Sequence, residues 1–189
     1  MDREILDIFH KTGALLEGHF KLTSGLHSPS YFQCALVLQY PEYSTLLAGR
    51  IRDYFINHDI DVVIAPAVGG IVVGQEVGRL METRTIFAER EAGVMQLRRN
   101  FVLSKDERVL VCEDVVTTGS SVFEVIEVVK NAGAVVAGVG YIVDRSNGRV
   151  DFQTEQFSVL QMEIITYQPQ VCPLCQQGIP VQKPGSREI

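Results

Sequence analysis

Between residues 61 and 143, short apolar runs alternate with stretches of helical periodicity, and this alternation constrains the chain more than any other feature. Asp61-Val62-Val63-Ile64-Ala65 is a continuous apolar run, followed by a turn at Gly69 and Gly70 and by helical spacing from Ile71 to Met81. Thr85-Ile86-Phe87-Ala88 is a second run, Arg108 to Cys112 a third, and Ala134 to Val143 a fourth. A helical stretch, Ser120 to Asn131, joins the last two. Strands that are apolar throughout are buried on both faces, and strands joined through helices run parallel. The reading is an α/β fold: a central, mostly parallel sheet flanked by helices.

The flanks read differently. Residues 2 to 17 place Ile5, Ile8, Phe9, Leu15 and Leu16 on helical spacing and end at Gly18. Residues 20 to 38 turn extended and irregular, with Ser24-Gly25 and Ser28-Pro29 as breakers. Tyr43 to Ile56 reads as a helix with Leu46, Leu47, Ile51 and Phe55 near one face. After Gln168 the chain is punctuated by Pro169, Pro173, Gly178, Pro180 and Pro184. The expectation there is a tail that wraps the surface with no fold of its own.

A length of 189 residues with 46% hydrophobic and 21% charged residues suits one domain with one sizeable core. Lys and Arg total 17 against 23 Asp and Glu, a net charge of −6. That balance argues against a domain that grips nucleic acid by its backbone. The longest apolar stretch, Val62 to Gly74, is interrupted by Pro66 and three glycines, so no membrane span is expected. Met1-Asp2-Arg3-Glu4 opens a charged amphipathic pattern, unlike a secretory signal. With only four cysteines, the reading is a cytoplasmic protein.

Cys34 and Cys112 both lie in apolar runs and read as buried, inert thiols. Cys172-Pro173-Leu174-Cys175 is a lone CxxC. A tetrahedral zinc site needs four ligands, and the sequence has no second CxxC. A structural tail is the favoured reading of this pair. Metal binding, a dimer-bridging site and a disulfide are the alternatives.

Ligands of open parallel sheets bind past the carboxyl ends of the strands. The third run leads into Glu113-Asp114-Val115-Val116-Thr117-Thr118-Gly119-Ser120-Ser121, and a helix follows. Two adjacent carboxylates stand where that strand is expected to stop. Hydroxyl-bearing residues then precede a helix start, where unpaired N–H groups and the helix dipole favour an anion. Gly119 admits close backbone approach. The pattern suits a sugar phosphate, with the phosphate on the turn and the sugar hydroxyls on the acids. Taken singly, Thr-Gly-Ser is also a common helix cap, and an acidic pair a solvated turn. No lysine follows the glycine, so the segment is not a P-loop.

Val109 to Ser121, VLVCEDVVTTGSS, resembles the phosphoribosyl pyrophosphate (PRPP) signature of the type I phosphoribosyltransferases. Phe20-Lys21-Leu22-Thr23-Ser24-Gly25-Leu26-His27-Ser28-Pro29 resembles a segment near the start of the orotate phosphoribosyltransferases. Pro66-Ala67-Val68-Gly69-Gly70, Glu89-Arg90-Glu91 and Asp144-Arg145 are similar to further segments of that family. The closing Cys-Pro-Leu-Cys and Lys-Pro-Gly-Ser-Arg resemble the tail of one of its branches.

The resemblance implies a single phosphoribosyltransferase domain over 1–189, with a PRPP-binding core at about 60–145 and a small hood from about 1–40 plus the tail. It implies Mg²⁺-dependent transfer of the phosphoribosyl group from PRPP to orotate, giving orotidine 5′-monophosphate and pyrophosphate in pyrimidine biosynthesis. Catalysis would fall to Glu113, Asp114 and Arg90. PRPP would be held by Val68, Gly69, Glu89, Arg90, Glu113, Asp114, Val115, Val116, Thr117, Thr118, Gly119, Ser120 and Ser121. Orotate would meet Thr117, Arg145 and Phe32, with Tyr31 nearby. The Mg²⁺ would be held mainly by PRPP, with no metal ligand assigned to the protein.

A homodimer is implied, with a flexible lid, Glu89 to Asn100, closing on the neighbouring subunit's site. The sequence departs from the family at the lid, where Gly93-Val94-Met95 stands in place of a lysine that many members carry. It departs also at Val68-Gly69, where some members have Tyr-Lys, and at Thr23, where some have a lysine and Lys21 lies two residues away. Two alternatives stay open at this level: a PRPP-binding regulator with weak catalysis, and a phosphoribosyltransferase for another base.

Overall fold

The computed structural model describes residues 3–22, 24–163 and 165–184. Met1, Asp2, Thr23 and the segment from Gly185 onward, used in the sequence reading, lie outside the described residues. The elements in chain order are α1 (Arg3–Lys11), β1 (Leu15–Lys21), β2 (His27–Phe32), α2 (Ala35–Leu38) and α3 (Pro41–Phe55). Then come β3 (Val62–Pro66), α4 (Gly69–Met81), β4 (Arg84–Glu91), β5 (Val94–Leu97) and β6 (Arg108–Val116). The chain continues with α5 (Ser120–Asn131), β7 (Val135–Asp144), β8 (Gln156–Gln161), a 3₁₀ turn (Pro169–Val171) and α6 (Pro173–Gln176). By internal contacts the chain separates into a larger unit, residues 38–162, and a smaller one drawn from 2–37 and 163–189.

The larger unit is a six-stranded sheet in the order β5-β4-β3-β6-β7-β8. All neighbours are parallel except β4 and β5. This is the expected α/β class. The apolar runs bury as their composition requires: every residue of β3 is buried, and Val109 to Cys112 are fully so. Val62, Ile64, Val109, Val111 and Val139 pack with Val122, Val125 and Val129 of α5 in one apolar cluster. α3 starts at Pro41, whose fixed φ and missing N–H suit a first helical position.

Chain order reverses at the centre of this sheet. From β3 the chain goes to β4 on one side, and from β6 to β7 and β8 on the other. The β3/β6 boundary is therefore a topological switch point, where α/β sheets open a crevice. The pairing of β3 with β6 runs from Val62↔Val109 to Ile64↔Val111. β3 then ends at Pro66 and the chain turns into α4, while β6 continues to Val116 against β7.

The smaller unit pairs β1 with β2 as an antiparallel hairpin, with an irregularity between Glu17 and Phe20. Its helix is shorter than the spacing suggests. Thr12 closes the last turn of α1, its hydroxyl donating to the Ile8 carbonyl at 2.8 Å. Leu15 and Leu16 consequently belong to β1, where alternation replaces helical spacing. The tail is hydrogen-bonded to the hairpin. Tyr167 exchanges backbone hydrogen bonds with His27, and Gln182 does so with His19 and Lys21. These bonds correct the expectation of a tail with no fold of its own. They engage one point on the outer edge of each of β1 and β2, edges that a two-stranded sheet leaves open.

Candidate active site

The site is built where β6 outruns β3. The pairing of β6 with β3 ends at Val111, and beyond it two backbone amides are taken up by the acids themselves. The Asp114 amide donates to Glu113 Oε1 at 3.0 Å, and the Val115 amide to Asp114 Oδ1 at 2.9 Å. The acid pair thus sits inside the strand rather than past its end, a correction of the expected boundary by four residues. Its cause is the continued pairing with β7, through Val115↔Val143 and Val116↔Asp144.

The β3–α4 turn presses on the same acids. The turn contains a cis peptide between Ala67 and Val68, and the Val68 side chain is exposed. A Cβ on Gly70 would lie 2.8 Å from Glu113 Oε1. Glu113 is buried, and burial pushes its pKa well above the usual carboxylate range, with the neighbouring Asp114 charge adding to the rise. Arg90 is near enough to oppose that shift in part.

Past the strand, the turn into α5 has a shape only glycine permits. Gly119 has φ +74°, and a Cβ there would lie 2.9 Å from both Phe152 and Val150. The Thr118 and Ser120 hydroxyls share a 2.8 Å hydrogen bond across it. An open pocket of about 210 Å³ lies here, lined by Glu113 and residues 115–122. It offers hydroxyls, a helix N-terminus and a carboxyl, which together suit a phosphorylated sugar.

Of the residues singled out from sequence, Glu113, Asp114 and the segment Val115 to Ser121 therefore meet in one place, with Gly69 and Val68 on the facing turn. Arg90 reaches the first turn of α5, donating to Ser121 Oγ at 3.2 Å and pairing with Glu124 at 2.9 Å. Arg145 follows the end of β7, where its amide donates to the Val116 carbonyl at 2.7 Å. Its backbone is thereby fixed beside the start of the phosphate turn. Below it, the Asp144 carboxylate accepts from the Ser146 amide and hydroxyl and from the Gly148 amide. Phe32 is buried in the smaller unit, edge-on to Phe9 at 5.0 Å between centroids.

The segment expected as a flexible lid contains a hairpin. β4 extends to Glu91, Ala92 and Gly93 form a two-residue turn with positive φ at both, and β5 returns. Its cations are paired: Arg99 with Glu89 at 2.7 Å and Arg98 with Glu91 at 3.0 Å. Arg99 holds the Glu89 carboxyl below its ordinary pKa. Val94, the lysine-free position, is the exposed first residue of β5.

No helix among the described residues is long and apolar enough to cross a membrane. Residues 42–174 match the phosphoribosyl transferase domain. The chain is 59% identical over 185 residues to the orotate phosphoribosyltransferase of Chlorobium phaeobacteroides (strain BS1), covering 98% of this chain and 96% of that one. It is 57% identical over 186 residues to that of Pelotomaculum thermopropionicum, covering 98% of each. The fold is similar to the crystal structure of orotate phosphoribosyltransferase from Aeropyrum pernix, with TM-score 0.73 and 23% identity over 84% of this chain and 93% of that one. Identity at this level over nearly the whole length, together with the matching domain, shows that the chain belongs to the orotate phosphoribosyltransferase family.

Proposed function

We propose that this chain transfers the phosphoribosyl group of PRPP to orotate, yielding orotidine 5′-monophosphate and pyrophosphate, as a Mg²⁺-dependent, homodimeric cytoplasmic enzyme. The observation that carries this reading is the convergence of Glu113, the hydroxylated turn and the α5 N-terminus on one pocket at the switch point, with Asp114 next to Glu113 in β6. Family membership supports it.

In the reaction, the bond from ribose C1 to pyrophosphate oxygen breaks and its electron pair leaves with the pyrophosphate. A ring nitrogen of orotate forms the new bond to C1 and gives up its proton. Positive charge develops on the sugar between these events. Residues 117–121 hold the 5′-phosphate by hydroxyls and helix amides. Glu113, whose burial favours the protonated carboxyl, and Asp114 meet the ribose hydroxyls, and the one negative charge shared by the pair favours the cationic sugar. The Val68-Gly69-Gly70 turn and Arg90 take the pyrophosphate side. Arg145 pairs with the orotate carboxylate, for which a planar guanidinium is suited.

The two acids provide oxygen donors only, which fit a hard cation held mainly through substrate oxygens. Mg²⁺, when bound, neutralises pyrophosphate charge. The test is loss of orotate absorbance when purified protein, Mg²⁺, PRPP and orotate are mixed, with uracil, adenine and hypoxanthine as competitors. Turnover with orotate preferred is the expected result. No turnover above blank across a wide pH and concentration range, or preference for a neutral base, overturns it.

A further inference from the structure

His19, His27, Cys172 and Cys175 play no part in the chemistry above, yet the smaller unit gathers them at one point. Their ligand atoms all lie within 4.8 Å of one another. His19 Nε2 stands 2.9 Å from His27 Nδ1, 3.6 Å from Cys172 Sγ and 3.7 Å from Cys175 Sγ. Cys175 Sγ is 3.3 Å from His27 Nδ1. Zinc bonds of about 2.3 Å to sulfur and 2.0–2.1 Å to nitrogen give tetrahedron edges of roughly 3.3–3.8 Å. The four side chains therefore stand close to the corners of a zinc tetrahedron.

The surroundings fit the same occupant. A carbonyl can only accept, so the 2.7 Å contact between His19 Nδ1 and the Ile179 oxygen places the proton on Nδ1. The neutral His19 ring then presents its Nε2 lone pair to the cluster. Such a carbonyl partner is the usual support of a metal-bound histidine. His19, His27 and Cys172 are buried and Cys175 is exposed, so a cation has a protected site with an approach from solvent. Two thiolates and two neutral imidazoles balance the charge of Zn²⁺, which offsets the cost of burying the ion.

Backbone geometry aims the ligands. His19 lies at the irregularity of β1, and His27 opens β2. Cys172 stands just before α6, and Cys175 lies inside it. The Ile179 amide donates to the Leu174 carbonyl at 3.1 Å, folding the chain after α6 back so that its own carbonyl meets His19.

We propose that His19, His27, Cys172 and Cys175 form a structural Zn²⁺ site that fastens the C-terminal tail to the β1–β2 hairpin. The four ligands close the coordination shell, so the ion is structural rather than catalytic. The site joins segments 153 residues apart in sequence, a long loop whose closure restricts the unfolded chain. This inference does not depend on the proposed reaction.

The competing state is metal-free, with His27 Nδ1–H donating to His19 Nε2 and two free thiols or a Cys172–Cys175 disulfide beside them. The test is elemental analysis of untagged full-length protein, purified under reducing conditions and again after incubation with Zn²⁺ and desalting. About one zinc per chain is expected. Cobalt substitution should give sulfur-to-cobalt charge transfer and intense tetrahedral visible bands. The Cys172 and Cys175 thiols should be slow to react until a chelator is added, and chelation should lower the melting temperature. Cys175→Ser, at the exposed ligand, should lose the charge-transfer intensity of one sulfur, whereas Cys34→Ala should keep the full spectrum. Zinc-free protein after reconstitution, cobalt spectra without thiolate character, or a disulfide in reduced preparations would overturn the site.

Discussion

The Cβ that Gly69 lacks would fall 2.7 Å from Cγ of Asp114. The β3–α4 turn and the acid pair of β6 therefore occupy their positions only because residue 69 has no side chain. A Gly69→Ala change must push the Asp114 carboxylate aside, because that flexible group yields before the backbone does. Turnover should fall by about tenfold to a hundredfold, the cost of a misplaced group at a reacting centre. The folded state should lose little, since the neighbour that moves is a side-chain tip. Initial rates at saturating orotate, measured beside thermal melting, check this. A large loss of melting temperature with unchanged turnover would contradict it.

Glu113 gives stability a sign with pH. Burial raises its pKa in the folded chain above the ordinary value of 4.5. Below that ordinary value both folded and unfolded states hold the proton, and no penalty exists. As pH rises above it, the unfolded chain ionises while the folded chain stays protonated, so stability falls. The fall continues until the raised folded pKa is passed. Glu113→Gln, which cannot ionise, should match the parent near pH 4 and melt higher than it at alkaline pH. Melting temperatures of both proteins across that range provide the comparison. A constant difference at all pH values would show that ionisation of Glu113 is not the cause.

The apolar runs of β3, β6 and β7 and the helix α5 were legible because burial on two sheet faces leaves an unbroken hydrophobic signature. The composition of the phosphate turn was equally plain. What escaped depends on partners distant in sequence. The acids read as lying past a strand, because only pairing with β7 extends β6 to Val116. Gln156–Gln161 reads as half polar, and β8 exists because an edge strand needs only one ladder. The hairpin of β4 and β5 rests on a two-residue turn in which Ala92, a residue with no turn preference, takes positive φ. The histidines beside the CxxC were invisible for the same reason: His19 and His27 reach it through tertiary contacts alone.

Gly119 is held by two constraints at once, its φ of +74° and the rings and methyls of Phe152 and Val150. Alanine there is strained in the backbone and meets those side chains at 2.9 Å. The loss of stability should be about 1–3 kcal/mol, in the range of forced left-handed residues. The turn must also shift, so the PRPP requirement should rise. Urea midpoints and the KM for PRPP are the two readouts. An unchanged KM in a destabilised variant would separate the turn from phosphate binding.

Arg145 tests the choice of base. Its backbone is tied to Val116, at the start of the phosphate turn, by a 2.7 Å hydrogen bond that a side-chain truncation leaves in place. Arg145→Ala should raise the KM for orotate by about tenfold or more, the worth of a hydrogen bond to a charged group. The KM for PRPP should change less. Steady-state kinetics with each substrate varied in turn gives the answer, and equal effects on both would remove Arg145 from the orotate side.

Arg90 distinguishes a structural ion pair from a substrate contact. Its side chain is 43% exposed, and that of its Glu124 partner 37%. Solvent screens such a pair, so its removal should cost less than about 1 kcal/mol of stability. The same group nevertheless reaches Ser121 at the mouth of the phosphate turn and lies within electrostatic range of Glu113. In the absence of a lysine at position 94, it is the cation of the hairpin that touches α5. Arg90→Ala should therefore lower kcat/KM for PRPP by about tenfold or more while the melting temperature barely moves. Glu124→Gln breaks the pair but leaves the guanidinium, and should retain most of the activity. If both variants lost activity equally, the ion pair itself would be the requirement, and Arg90 would act by fixing the hairpin on α5 rather than by meeting pyrophosphate.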